Sequence, residues 1–274
     1  MRFTQVDVFS TDSFRGNPVA VVHDADHLSD AEMAQFANWT NLSETTFLLT
    51  PTTPEADYRL RIFTVSGELP FAGHPTLGSC RAWLTAGGRP RAEPVIQECA
   101  AGLVPIRRDG DGLAFAAPGF ARLGPVEPAH LDQALTALHL SPDELVASAW
   151  IDNGPGWMGL VLRDAAAVLA LEPDFVALGD LDVGVIGAHA AGGPADYEVR
   201  AFVPGVGINE DPVTGSLNAG FGVWLIESGA APPSYTVAQG TVLGRTGRVT
   251  VWSEDGEVWV GGATRVRISG DVEF

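Results

Sequence analysis

A chain that repeats one pattern of strand, loop and helix has few folds open to it. Tyr58-Arg-Leu-Arg-Ile-Phe63 is echoed by Tyr197-Glu-Val-Arg-Ala-Phe202, and a loop containing Gly and Pro follows each. After the loops come Thr76-Leu-Gly-Ser-Cys-Arg-Ala-Trp-Leu84 and Ser216-Leu-Asn-Ala-Gly-Phe-Gly-Val-Trp-Leu225, each closing near a glycine, Gly87 or Gly229. The two stretches align with an insertion of about two residues, a repeat of one supersecondary unit. In both helices small and apolar residues run around most of the circumference: Gly78, Ser79, Cys80 and Ala82 in one, Ala219, Gly220 and Gly222 in the other. A helix apolar all round belongs inside a core, and its glycines permit close approach of surrounding strands. Each half therefore reads as strands wrapped about one buried helix.

The flanking sequence fits that reading. TQVDVFSTDSFRGNPVAVV alternates apolar and polar residues, turns at Arg15-Gly16-Asn17-Pro18 and predicts a hairpin-like strand pair. Ser29-Asp-Ala-Glu32 followed by Met33, Phe36 and Ala37 predicts a capped helix. Thr45–Leu49 reads as a strand, Ser141-Pro-Asp-Glu144 as the start of a short helix, and Gly247–Phe274 as a strand meander. The Pro/Gly-rich stretch from Ala117 to Pro128 predicts a linker. At 274 residues two domains are expected. They span residues 1–117 and 118–264, with the last strand, 265–274, returning to the first.

Composition removes several functions. With 34 acidic and 16 basic residues the formal charge is -18, a field that repels nucleic acid and anionic membrane surfaces. All the basic residues are arginine. Without lysine no side-chain Schiff base forms, so covalently anchored pyridoxal phosphate is excluded, and a P-loop would lack its lysine. Two cysteines, Cys80 and Cys99, make neither a disulfide framework nor a zinc spacing. No stretch has the length of a signal-peptide core or a membrane span. A soluble cytoplasmic protein is expected.

Two buried helices whose N-termini face a shared cleft form a ready site for an anionic ligand. In the first loop the candidates are His74 and Thr76; in NEDPVTGSL, Asn209 to Leu217, they are Asp211, Thr214 and Ser216. Each also has a structural reading: a histidine hydrogen-bonded near a helix start for His74, helix capping for Asp211 and Ser216. For Glu44, in Asn41-Leu-Ser-Glu-Thr-Thr-Phe47, it is a solvated loop carboxylate.

Six motifs, DVFSTDSFRGNPVAVV, NLSETTFLL, ELPFAGHPTLG, DNGPGW, NEDPVTGS and QGTVLGRTGRV, lie in that order along nearly the whole chain. Together they resemble the phenazine-biosynthesis PhzF-like family. That family is similar in fold to diaminopimelate epimerase and proline racemase. The resemblance implies an α+β protein of two pseudo-symmetric domains, each a mostly antiparallel sheet or barrel around a central helix, with the site between them. It implies a cofactor-independent isomerase, without metal, that transfers a proton at carbon on a small carboxylate-bearing metabolite. By the same resemblance Glu44 is the general acid/base. Gly73, His74, Asp211, Gly215 and Ser216 position substrate and pass or stabilise protons, with Asn17 and Thr76 as further substrate-binding candidates. A homodimer is suggested.

One departure bears on mechanism. The related epimerases and racemases carry a cysteine at each helix N-terminus, whereas here those positions hold Ala72 or its neighbours and, roughly, Pro212. A single carboxylate serving one face suits a 1,3-shift rather than inversion. Since an ordinary glutamate has a pKa of about 4.3, this role requires Glu44 to be partly desolvated or near another acid such as Asp211. Two rival readings stand beside it. One is a hydrolase with Ser216 as nucleophile and His74 as base, which lacks G-x-S-x-G; the other is a metabolite-binding protein without turnover. The motifs define a proton-transfer site and leave the substrate open.

Overall fold

A computed structural model describes residues 1–206 and 208–274. The chain divides into two units, Met1–Ala116 with Gly261–Phe274, and Ala117–Val260.

The first unit contains β1 (Arg2–Val8), β2 (Asn17–Val22), α1 (Asp30–Thr40), β3 (Glu44–Leu49), β4 (Tyr58–Phe63), β5 (Glu68–Leu69), α2 (Gly73–Thr85), β6 (Val95–Cys99), β7 (Gly102–Asp109) and β8 (Gly112–Ala116). β1 and β2 form the expected antiparallel pair, while β2 runs parallel to β3 and β4 parallel to β6. The pairs β3–β4, β6–β7 and β7–β8 are antiparallel, and the end of the chain pairs antiparallel with β1. These strands wrap around α2, which is buried from Gly73 through Cys80. Close approach is needed at Gly78, where a Cβ would lie 2.3 Å from Val19 Cγ1. Helix α1, opened by a Ser29–Glu32 capping box, packs Met33 and Ala37 on Val22, Phe47 and Phe63 on the outer face of the sheet.

The second unit contains β9 (Arg122–Gly124), α3 (Pro128–Ala137), β10 (Leu145–Asp152), β11 (Met158–Leu162), α4 (Ala165–Leu169), α5 (Phe175–Leu178), β12 (Val183–Ala188), β13 (Tyr197–Phe202), β14 (Glu210–Asp211), α6 (Gly215–Glu227), β15 (Ser234–Gln239), β16 (Gly247–Glu254) and the start of β17 (Glu257–Asp271). Its strands surround α6, while α3, α4 and α5 cover the outer face, their Ala134, Leu138, Val168 and Leu178 sharing a cluster with Phe202 of β13. The Pro/Gly-rich stretch expected to be a linker contains β9, which finds an edge at β10 and pairs Leu123 with Ile151. Residues 142–144 form a single 3₁₀ turn rather than an α-helix, because β10 begins at Leu145.

The internal repeat is visible in the pairings. Phe63 pairs with Glu68 and Phe202 with Glu210, and after each short strand comes a helix of 13 residues starting at glycine, Gly73 or Gly215. Both helices end before a glycine of positive φ, Gly87 at 101° and Gly229 at 73°. In both units an arginine of the echoed strand forks onto the glutamate of the short strand: Arg61 onto Glu68 at 2.7 and 2.6 Å, Arg200 onto Glu210 at 3.0 and 2.8 Å. This register shifts the start of the aligned stretches by two positions and leaves the closing pair, Gly87 and Gly229, as read from the sequence. His74, not Thr76, corresponds to Ser216, because the extra residues of the second copy all lie ahead of β14. The likeness of Thr and Ser side chains concealed the shift.

Candidate active site

Asn17 begins β2 and Glu44 begins β3, and since these strands are parallel both starts lie at one end of the first unit. Side chains alternate along a strand. Thr46, two residues after Glu44, bonds Ser79 of α2 at 2.8 Å, so Glu44 shares the helix-facing side of β3. His74 sits one turn before Gly78 in the first turn of α2. The result is a buried row: Asn17 Nδ2 is 3.2 Å from His74 Nδ1, and His74 Nε2 is 3.3 Å from Glu44 Oε2. In the tautomer whose Nδ1 accepts from the Asn17 amide, the ring proton is on Nε2, on the side of the glutamate. His74 is 2% exposed and the Glu44 side chain 14%, so the carboxylate is partly desolvated. Burial pushes the imidazole pKa down to about 3, the Pro18 carbonyl acting weakly the other way. His74 is neutral across the physiological range.

Gly73 opens the helix beside this row, and its N-cap, Ala72, supplies no side-chain cap. Thr76 is absorbed elsewhere. Gln97 Nε2 donates to its hydroxyl at 3.0 Å, and Tyr58 donates to Gln97 in turn, a fully buried chain facing β6.

In the second unit, Asp211 closes β14 and Thr214 is the N-cap of α6. The Thr214 hydroxyl does not cap the helix; it donates to Asp211 Oδ2 at 2.5 Å. Gln239, absent from the sequence candidates, accepts from Thr214 N at 3.0 Å and from Asn218 Nδ2 at 2.9 Å, and donates to Thr214 Oγ1 at 2.8 Å and to the Asp211 carbonyl at 3.2 Å. Ser216, the second helical residue, also does not act as a cap. Its Oγ accepts from Trp157 Nε1 at 3.0 Å, and its carbonyl from Asn153 Nδ2 at 2.8 Å. Both donors belong to the DNGPGW motif, folded into a tight turn by Asp152 Oδ1, which accepts from Gly154 N and Gly156 N at 2.7 and 2.8 Å. The motif was legible; its task of bracing a helix start in another part of the sequence was not.

Helix α6 begins at Gly215, so the position before it is Thr214 and not Pro212 as the loop spacing suggested. Neither helix start carries a cysteine. Cys80 is buried in the middle of α2 with its thiol pushed up to about 12 by desolvation, and burial on β6 raises Cys99 as well. The partner of Ser216 Oγ is an indole N–H, which donates and cannot accept a proton, so it provides no base for a serine nucleophile. The first unit thus offers a partly buried carboxylate 3.3 Å from a neutral imidazole. Each unit offers a helix start, the place where backbone N–H groups favour negative charge.

Two units of strands around a central helix define the α+β class shared with racemases and epimerases. A probable proline racemase from Agrobacterium radiobacter K84 superposes with a TM-score of 0.63 over 99% of this chain and 92% of that one; at 15% identity this shows the fold alone. A phenazine biosynthesis protein of the PhzF family from Enterococcus faecalis superposes with a TM-score of 0.81, at 26% identity, over 100% of this chain and 99% of that one. Residues 6–272 match the PhzC-PhzF family, described as phenazine biosynthesis-like protein, and the chain belongs to that family. It is 42% identical to Antisense-enhancing sequence 1 of Schizosaccharomyces pombe, covering 98% of this chain and 97% of that protein. It is 34% identical to trans-2,3-dihydro-3-hydroxyanthranilate isomerase of Pseudomonas aeruginosa, covering 92% and 90%.

Proposed function

We propose that the protein is a cofactor-independent isomerase that moves a proton between two carbons of a small carboxylate-bearing metabolite, with Glu44 as acid/base. The observation that carries this reading is the row Asn17–His74–Glu44 beside the start of α2. In the proposed step the Glu44 carboxylate takes a proton from carbon, and the electron pair left behind spreads over the adjacent unsaturated system. The resulting carboxylic acid returns the proton to the carbon two positions away on the same face, so the double bond shifts and Glu44 is regenerated. One base suffices. His74 is neutral and orients Glu44 through Nε2–H; the 3.3 Å separation leaves room for this contact to tighten when substrate binds. The helix starts opened by Gly73 and by Gly215, the latter with Ser216, each favour negative charge on a ligand within their own unit, and the Asp211 carboxylate is an acceptor for a hydrogen-bond donor.

The isomerase name of the Pseudomonas aeruginosa relative supports the reaction class. The family resemblance supports a cytoplasmic homodimer, which light scattering on the purified protein tests. For the reaction, the protein is incubated in deuterated water with trans-2,3-dihydro-3-hydroxyanthranilate and a panel of unsaturated carboxylic acids, and products are read by NMR. Deuterium at carbon in a shifted alkene is the expected result, and Glu44→Gln abolishes it. Labelling by Glu44→Gln at the wild-type rate removes Glu44 from the mechanism, and tight binding of one acid without labelling favours a binding protein.

A further inference from the structure

We propose that Gln239 is a positioning residue that acts on Asp211 through Thr214, fixing the direction of the Thr214 hydroxyl so that its proton always points to Asp211 Oδ2. The significance of Asp211 rests on the function proposed above; the hydrogen-bond argument does not. Gln239 is fully buried, and its amide makes four hydrogen bonds, which exhausts two donors and two acceptor sites. Its orientation is forced by groups that cannot change role. The backbone N–H of Thr214 can only donate, so it faces Oε1, and the carbonyl of Asp211 can only accept, so it faces Nε2. Nε2 therefore also donates to Thr214 Oγ1, and the hydroxyl, already accepting from that side, turns its own proton to Asp211. The order Gln239 N–H to Thr214 O–H to Asp211 Oδ2 has one polarity. A carboxylate that receives such a bond is favoured in its ionised form over its acid form.

The internal repeat separates this role from a need of the fold. In the first unit the place of Asp211 is taken by Leu69, which pairs with Ile62 as Asp211 pairs with Ala201. The place of Thr214, the residue before the helix, is taken by Ala72. The same strand-loop-helix unit thus forms without polar side chains at these two positions, its own buried chain running instead from Tyr58 through Gln97 to Thr76, and a hydroxyl directed at a carboxylate here exists only in the copy that carries the aspartate.

The test reads Asp211 directly and needs no turnover, so it stands apart from success or failure of the isomerase reading. The full-length protein is labelled with aspartate enriched in carbon-13 at the side-chain carboxyl, the Asp211 signal is assigned by its loss in Asp211→Asn, and its titration is followed with pH. Thr214→Ser, which keeps the hydroxyl, is expected to titrate like the wild type. Thr214→Val, which removes it at nearly constant shape, is expected to raise the midpoint by about one pH unit. Gln239→Met is expected to raise it by less, and to add nothing in a Thr214→Val background. A wild-type midpoint in folded Thr214→Val overturns the proposal, as does an undiminished effect of Gln239→Met once the hydroxyl is gone. Should Gln239→Met not fold, the Thr214 pair decides.

Discussion

His74 and Ser216 are one position in two copies of the same unit: each is the second residue of a 13-residue central helix that opens with glycine. Each has a hydrogen-bond partner in its own unit, His74 the Asn17 amide and Ser216 the Trp157 indole. The repeat has placed different chemistry on one scaffold. A neutral ring beside a carboxylate stands in the first copy, a hydroxyl that accepts from an indole in the second.

Glu44→Gln keeps the shape of the side chain and removes its basicity. A positioned general base contributes roughly 10²- to 10⁴-fold, so kcat should fall by at least about 100-fold while KM changes little. Steady-state kinetics on the substrate found by deuterium labelling, with circular dichroism to confirm the fold, checks this; a kcat within a few-fold of wild type contradicts it.

Burial of His74 makes stability depend on pH. The unfolded chain takes a proton on this histidine near pH 6.5, whereas the folded imidazole stays neutral down to about 3. Between these values the unfolded state binds the extra proton, so stability rises with pH. The contribution is fully present above pH 6.5 and is lost as pH falls through the window, at up to about 1.4 kcal/mol per pH unit. Urea unfolding of wild type and His74→Gln across the window should show a shallower slope for the variant. Parallel curves would mean that the ring takes up its proton without unfolding.

For Ser216 the expected role is donation to negative charge on the substrate. Ser216→Ala should lower kcat/KM by about 100-fold. Trp157→Phe keeps the hydroxyl but frees its rotation, and should lower kcat/KM by about tenfold, the worth of one hydrogen bond. Mass spectrometry after treatment with a serine-acylating reagent should find Ser216 unmodified. Stoichiometric acylation there revives the hydrolase reading.

At the buried glycine of α2 the expectation concerns stability alone. A Cβ at Gly78 would sit 2.3 Å from Val19 Cγ1 and 3.1 Å from Val8 Cγ2, whereas one at Gly67 meets nothing within 4 Å. Gly78→Ala should cost about 1–3 kcal/mol by overpacking, and Gly67→Ala a few tenths at most. Denaturant midpoints for the pair decide whether the strands pack on the helix as tightly as the distances say.

What the amino-acid pattern determined by itself was the architecture. A helix without a polar face cannot lie at the surface, so two such helices after two like strands required two wrapped units, and six motifs in order carried the family. The motifs also nominated Asn17, Glu44, His74, Asp211 and Ser216 as candidates, through the family resemblance. Three things were left to the tertiary structure. The row from Asn17 to Glu44 depends on β2 and β3 being parallel, a pairing that brings distant strand starts to one end and that no local pattern encodes. The match of His74 to Ser216 depends on where the loop ahead of β14 takes its extra residues, which only the strand register shows. Trp157 and Gln239 gain their roles from hydrogen bonds to residues far along the chain. Sequence spacing reports neighbours along a strand or a helix turn; side chains that meet across elements are chosen by packing.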